Sequence, residues 1–158
     1  MFESVRSEPR YKSAHHYIWA CDYHVIFCTK YRKQVLTSAI QKRLKEIIVE
    51  KQEDYHYTLT ALEIMPEHVH ILMSVEPKYP VNRIVGKIKG YSSFCLRREF
   101  FGLKRIRSLW TSSKFIASTG GVTLEALKEY VEGQKYKEYT QKLDSQLLLF
   151  DNLETKRK

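Results

Sequence analysis

An α+β domain, with helices packed on one face of an antiparallel sheet, is the fold class that three observations predict. Short segments of period-two apolar alternation follow and precede segments of helical period. Two of the strand-like segments, 57–65 and 68–75, are separated only by Pro66 and Glu67, so they pair as a β-hairpin. The chain has 158 residues, 43% of them hydrophobic and 13% aromatic, the ordinary size and content of one domain with its own core.

The elements follow in order. Residues 1–13 are basic and read as a flexible arm. The stretch YIWACDYHVIFCT then alternates, with Trp19, Cys21, Tyr23, Val25 and Phe27 on one face and Asp22, His24 and Cys28 on the other. This predicts a first strand that ends in the basic turn KYRK. Thr37 or Ser38 can cap a helix reaching about Gln52, whose apolar residues Ile40, Leu44, Ile47 and Ile48 fall at i, i+4, i+7 and i+8. The hairpin comes next. From Val81, residues Ile84, Val85, Ile88, Tyr91 and Cys95 keep helical spacing and predict a second helix with a basic outer side. Phe101 to Leu109 reads as a cationic connector, SSKFIAST as a fourth strand, and Gly120-Gly121 as its end. Thr123 can cap a third helix, TLEALKEYVEGQKY. Strand, helix, strand, strand, helix, strand matches the split β-α-β of a ferredoxin-like domain, with the third helix added. One domain over 1–140 and a tail over 141–158 is the expected division.

Charge narrows the partners. A formal net charge of +9 and a pI near 9.4 favour polyanions, whose counterions are released on binding, and nucleic acid leads that list. Cys21, Cys28 and Cys95 are odd in number and lack a C-x-x-C pair, so small core residues are expected rather than a disulfide framework or a zinc ribbon. No segment is long and apolar enough to cross a bilayer, and the N-terminal stretch has no apolar run of a signal peptide. No membrane association and a cytoplasmic location are expected.

The stretch EHVHILMSV carries the sharpest chemical signal. On a strand, His68 and His70 share a face while Val69, Ile71, Met73 and Val75 occupy the other. Two neighbouring neutral imidazoles suit a divalent metal. Alone, H-x-H fits surface histidines equally. On the third helix Tyr130 and Gln134 lie four residues apart on one face. A metal held by His68, His70 and Gln134 can polarise a phosphate oxygen, and the Tyr130 oxygen can attack the phosphorus. Eleven tyrosines in the chain leave a packing or surface role for Tyr130 equally open.

YHVIFCTKYR, MPEHVHILMSV and LW-x(3)-KFIASTGGVTLEALKEYVEGQ, in that order over about residues 14–136, resemble the HUH single-tyrosine transposases that mobilise insertion sequences as single-stranded DNA. The resemblance implies a homodimeric endonuclease and strand transferase that uses Mg2+ or Mn2+ and recognises hairpins near the element ends. It assigns His68 and His70 to the metal, Gln134 to the third metal ligand and Tyr130 to the nucleophile. It also implies an exchanged tyrosine helix, with Gly120-Gly121 as the hinge. Expected DNA contacts are Lys30, Arg32, Lys33, Arg83, Lys87, Arg97, Arg98, Lys104, Arg105 and Arg107. A solvated basic face accounts for each equally well. A domesticated nicking enzyme is one alternative. A non-catalytic module of the RNA-recognition type is another, although His68, His70, Leu72 and Ser74 offer no aromatic for base stacking.

Overall fold

The structure is a computed structural model that describes residues 11–119. The expected third helix with Tyr130, Gly133 and Gln134, the Gly120-Gly121 hinge, residues 1–10 of the arm and the boundary at residue 140 lie outside the described residues.

The first difference from expectation is at the start. Lys12–Ala14 is not part of a loose arm but a strand, β1, which pairs antiparallel with β2, Tyr17–Trp19. The expected single strand from Tyr17 is thereby divided, because β2 takes β1 as its partner and only β3, Asp22–Cys28, joins the main sheet. The alternation reads through the break; the pairing does not.

The remaining elements are α1 (Ser38–Glu50), α2 (Gln52–Tyr55), β4 (Tyr57–Ile64), β5 (His68–Val75), α3 (Val81–Glu99), α4 (Phe101–Lys104) and β6 (Phe115–Ser118). The four-stranded sheet has the order β4-β5-β3-β6, all antiparallel. That order, with α1 after β3 and α3 after β5, is the ferredoxin-like arrangement. Two boundaries shift: α1 stops at Glu50 and the chain makes the separate turn α2, closed by His56 in the left-handed region at φ 62°. The cationic connector begins with α4. Thr37 is the N-cap residue by backbone conformation, but its side chain makes no capping bond.

The buried stripe of α1 is Ile40, Leu44, Ile47 and Ile48, and that of α3 includes Ile84, Val85, Ile88, Cys95 and Leu96. Both close on Val25, Phe27, Val69, Ile71 and Met73, the odd-numbered face of the sheet. Outside this core, Arg43 of α1 clasps Glu99 of α3 at 2.8 and 3.2 Å. Cys28 and Cys95 are buried and Cys21 half-buried.

A bulge in β4 decides what shares the histidine face. Strict alternation would keep Tyr57, Leu59, Ala61 and Glu63 together. The register instead slips between Leu59 and Ala61, so Leu62 and Ile64 pair with Ile71 and Val69 on the core side. Ala61 and Glu63 turn to the other side, opposite Leu72 and His70.

Candidate active site

β5 is a central strand, and both of its faces are buried over all eight residues. His68 and His70 project from the face away from α1 and α3, as the alternation predicts, with ring centroids 4.7 Å apart. His24 of β3 comes alongside, its ring 5.6 Å from that of His70. Three imidazoles therefore cluster on one patch of sheet. Burial lowers His24 to about 4; burial first, then the neighbouring His68 and His24, lower His70 to about 3. Both are neutral at pH 7, and a neutral imidazole is the form that offers a lone pair to a metal.

His68 is oriented by its neighbour. Its Nδ1 lies 2.8 Å from Glu67 Oε1, so with Glu67 ionised the Nδ1–H donates to the carboxylate. That tautomer leaves Nε2 with its lone pair outward, and His68 Nε2 is buried without a hydrogen-bond partner in the structure. A buried orphan nitrogen is costly unless something binds it, and a carboxylate behind a histidine is the usual support of a metal-bound imidazole. His68 and His70 thus fit one side of a divalent-ion site. Among the described residues no group of three or more His, Cys, Asp and Glu can hold an ion. A further ligand has to come from elsewhere, and the sequence offers Gln134, which lies outside the described residues, as does Tyr130.

The basic candidates fall into two places. Lys30, Arg32 and Lys33 sit in a 3₁₀ turn directly after β3. This turn hangs on the β4-β5 hairpin that carries the histidines: Thr29 N donates to Glu67 O at 2.9 Å and Leu36 N to Pro66 O at 3.0 Å. Arg83, Lys87 and Arg98 are exposed on α3, with Arg97 half-buried beside them. Lys104, Arg105 and Arg107 follow, also exposed. A surface recess of about 410 Å³ is lined by Phe94, Arg97, Arg98 and Lys104. Exposed Phe94 and Phe101 carry cations over their rings, Arg98 at 5.1 Å and Lys104 and Arg105 at 5.8 Å.

Four residues escaped the sequence reading. Glu67 reads as a turn residue, because adjacent residues on a strand point to opposite faces; it reaches His68 only because the alternation has not yet begun there. Glu63 is hidden by the bulge. Phe94 and Phe101 are signalled only by being apolar positions outside the helical stripe.

An α+β sheet with neighbouring buried imidazoles on one face and a strongly basic periphery has the features of a DNA-processing protein. The sequence profile described as "Transposase IS200 like" matches residues 17–134, and the chain belongs to that family of DNA-cleaving, strand-transferring enzymes. It is 31% identical over 133 residues to the ISDra2 transposase TnpA of Deinococcus radiodurans, covering 80% of this chain and 93% of that one. It is 29% identical over 126 residues to the transposase for insertion sequence element IS200 of Salmonella typhimurium, covering 78% and 82%. A solved chain from Deinococcus radiodurans described as a transposase superposes with a TM-score of 0.65 at 31% identity, covering 78% of this chain and 97% of that one. A REP-associated tyrosine transposase solved with a REP hairpin shares the fold at a TM-score of 0.54 and 16% identity, over 79% and 73% of the two chains. No helix among the described residues is long and apolar enough to cross a membrane.

Proposed function

We propose that this transposase cleaves and rejoins single-stranded DNA at the ends of an insertion element through a 5′-phosphotyrosine on Tyr130. The observation that carries the reading is the pair of buried imidazoles 4.7 Å apart, one held by Glu67 with its Nε2 unpartnered, in a chain of the IS200-like family. His68, His70 and Gln134 hold a divalent ion, Mg2+ or Mn2+. When bound, it supplies positive charge to a non-bridging phosphate oxygen.

The rest falls to the chain's own groups. The Tyr130 oxygen attacks phosphorus while its proton passes to solvent. The bond from phosphorus to the 3′ oxygen breaks, and that oxygen leaves as a hydroxyl after taking a proton. Attack of another strand's 3′-hydroxyl on the phosphotyrosine reverses these bond changes, so one phosphodiester is exchanged for another without ATP. Recognition rests on hairpins near the element ends, with Lys30, Arg32, Lys33 and the cations of α3 and the following connector neutralising backbone phosphates. The working form is a homodimer in which His68 and His70 of one subunit meet Tyr130 of the partner subunit.

The test is incubation with Mn2+ and labelled single-stranded DNA carrying the flanking element ends, followed by denaturing electrophoresis. A denaturation-resistant protein–DNA adduct is expected, and it disappears in Tyr130→Phe while hairpin binding is kept. Cleavage that persists in Tyr130→Phe would replace this mechanism with water activation.

A further inference from the structure

The turn after β3 is bent in a way its sequence does not favour. Tyr31 has φ 59° and ψ 21°, and Arg32 follows at φ 50°. Both lie in the left-handed region, where a side chain crowds its own backbone and glycine is the usual occupant. Two such residues in succession persist only where the surroundings impose them.

The surroundings do so from both sides. Thr29, 1% exposed, donates its hydroxyl to Lys33 O at 2.7 Å and Glu67 O at 3.1 Å. Arg32 N returns to Thr29 O at 2.9 Å, and Lys30 N is tied to Leu109 O at 2.8 Å. The turn is thus pinned to Glu67, the residue that orients His68.

What the strained backbone holds out is one aromatic ring. Tyr31 is 72% exposed, so it adds almost nothing to the core. Lys30 Nζ stands 5.3 Å and Lys33 Nζ 5.9 Å from its ring centroid. A strained backbone, an uncovered ring and two flanking ammonium groups together make little sense as packing. They match a platform on which an unpaired base stacks while the ammonium groups meet the phosphates on either side.

We infer that Tyr31 is a base-stacking residue for single-stranded DNA, gripping an unpaired nucleotide at the edge of the site where His68 stands. The inference rests on the proposed single-strand chemistry and adds a residue to it. It demands an aromatic face but not the hydroxyl, and it predicts that the backbone gives up stability for the presentation of that face.

Substitution by glycine separates the two effects. Tyr31→Gly relieves the left-handed strain, so the melting temperature rises by about 3 °C. The same variant binds fluorescein-labelled oligothymidylate in EDTA about tenfold more weakly, whereas Tyr31→Phe binds like the parent. Photocrosslinking with a 5-bromodeoxyuridine oligonucleotide places the adduct on the peptide containing Tyr31. If Tyr31→Gly bound oligothymidylate as tightly as the parent, the platform would be refuted. A loss of stability in Tyr31→Gly would equally overturn it, by making the ring structural. Unchanged DNA affinity with an altered oligomeric state would turn the tyrosine into a contact between copies, against the inference. A parent protein that binds no single-stranded DNA would instead remove the proposed function itself.

Discussion

At the scale of single residues, the metal chemistry proposed for His68 depends on a proton. Glu67 selects the His68 tautomer whose Nε2 lone pair is outward, and that nitrogen is otherwise unpartnered. Replacing Glu67 by glutamine keeps the shape but lets the amide present either its oxygen or its NH2 group to Nδ1. Loss of such a supporting carboxylate weakens metal binding roughly 10-fold or more. Titration calorimetry with Mn2+ on Glu67→Gln is therefore expected to show about that loss, without unfolding. An unchanged affinity would mean that His68 needs no support from Glu67. Tyr31 belongs at this scale too, because its conformation lowers stability locally while its ring faces solvent.

At the scale of elements, the second helix does more than cover the sheet. Lys89 lies beside the apolar stripe of α3, is 8% exposed and reaches backbone oxygens. Its Nζ donates to Thr111 O at 2.7 Å, Ser112 O at 3.3 Å and Ser113 O at 2.8 Å. Those carbonyls belong to the loop entering β6, so one ammonium ties helix to edge strand. Lys89→Met keeps the aliphatic stem but strands the carbonyls. A loss of about 3 kcal/mol is expected, since hydrogen bonds from a charged donor contribute more than neutral ones and buried acceptors left alone add a penalty. Urea denaturation measures it, and a loss below about 1 kcal/mol would show that water replaces the ammonium. Nearby, Trp110 packs edge-on against Phe27 at 4.8 Å and donates its Nε1–H to Ser92 Oγ at 3.1 Å. The connector after α4, which reads as a cationic loop, is thus an anchored part of the core.

At the scale of the whole molecule, the proposed site is incomplete among the described residues. Two imidazoles cannot complete a divalent coordination sphere, and the nucleophile is expected on the segment beyond β6. A homodimer with exchanged tyrosine helices is the expected solution. Light scattering on the full chain at working concentration should give twice the 18.8 kDa chain mass. A monomer that still forms the phosphotyrosine adduct would place both halves of the site on one chain. The net charge of +9 acts at this scale as well, drawing DNA to a surface whose cations gather along the β3 turn and along α3 and its connector.

Much of this was legible in the chain before any coordinates. The periodicities of α1, α3 and β5, the hairpin at Pro66-Glu67 and the shared face of His68 and His70 are local properties, written in spacings of two to four residues. They set the fold class and put His68 and His70 on one face of the sheet, and the ordered motifs placed the family. Partners distant in sequence were decided only by tertiary structure. A bulge in β4 turned Glu63 toward His70, where strict alternation gives it a different set of neighbours. β1 captured β2 and cut an apparently continuous strand, because alternation specifies a face but not a partner. The left-handed pair at Tyr31 and Arg32 follows from hydrogen bonds to Glu67 and Leu109, both remote in the chain. Pattern fixes which side chains share a side; register and long-range hydrogen bonds, which no short window contains, fix what they meet there.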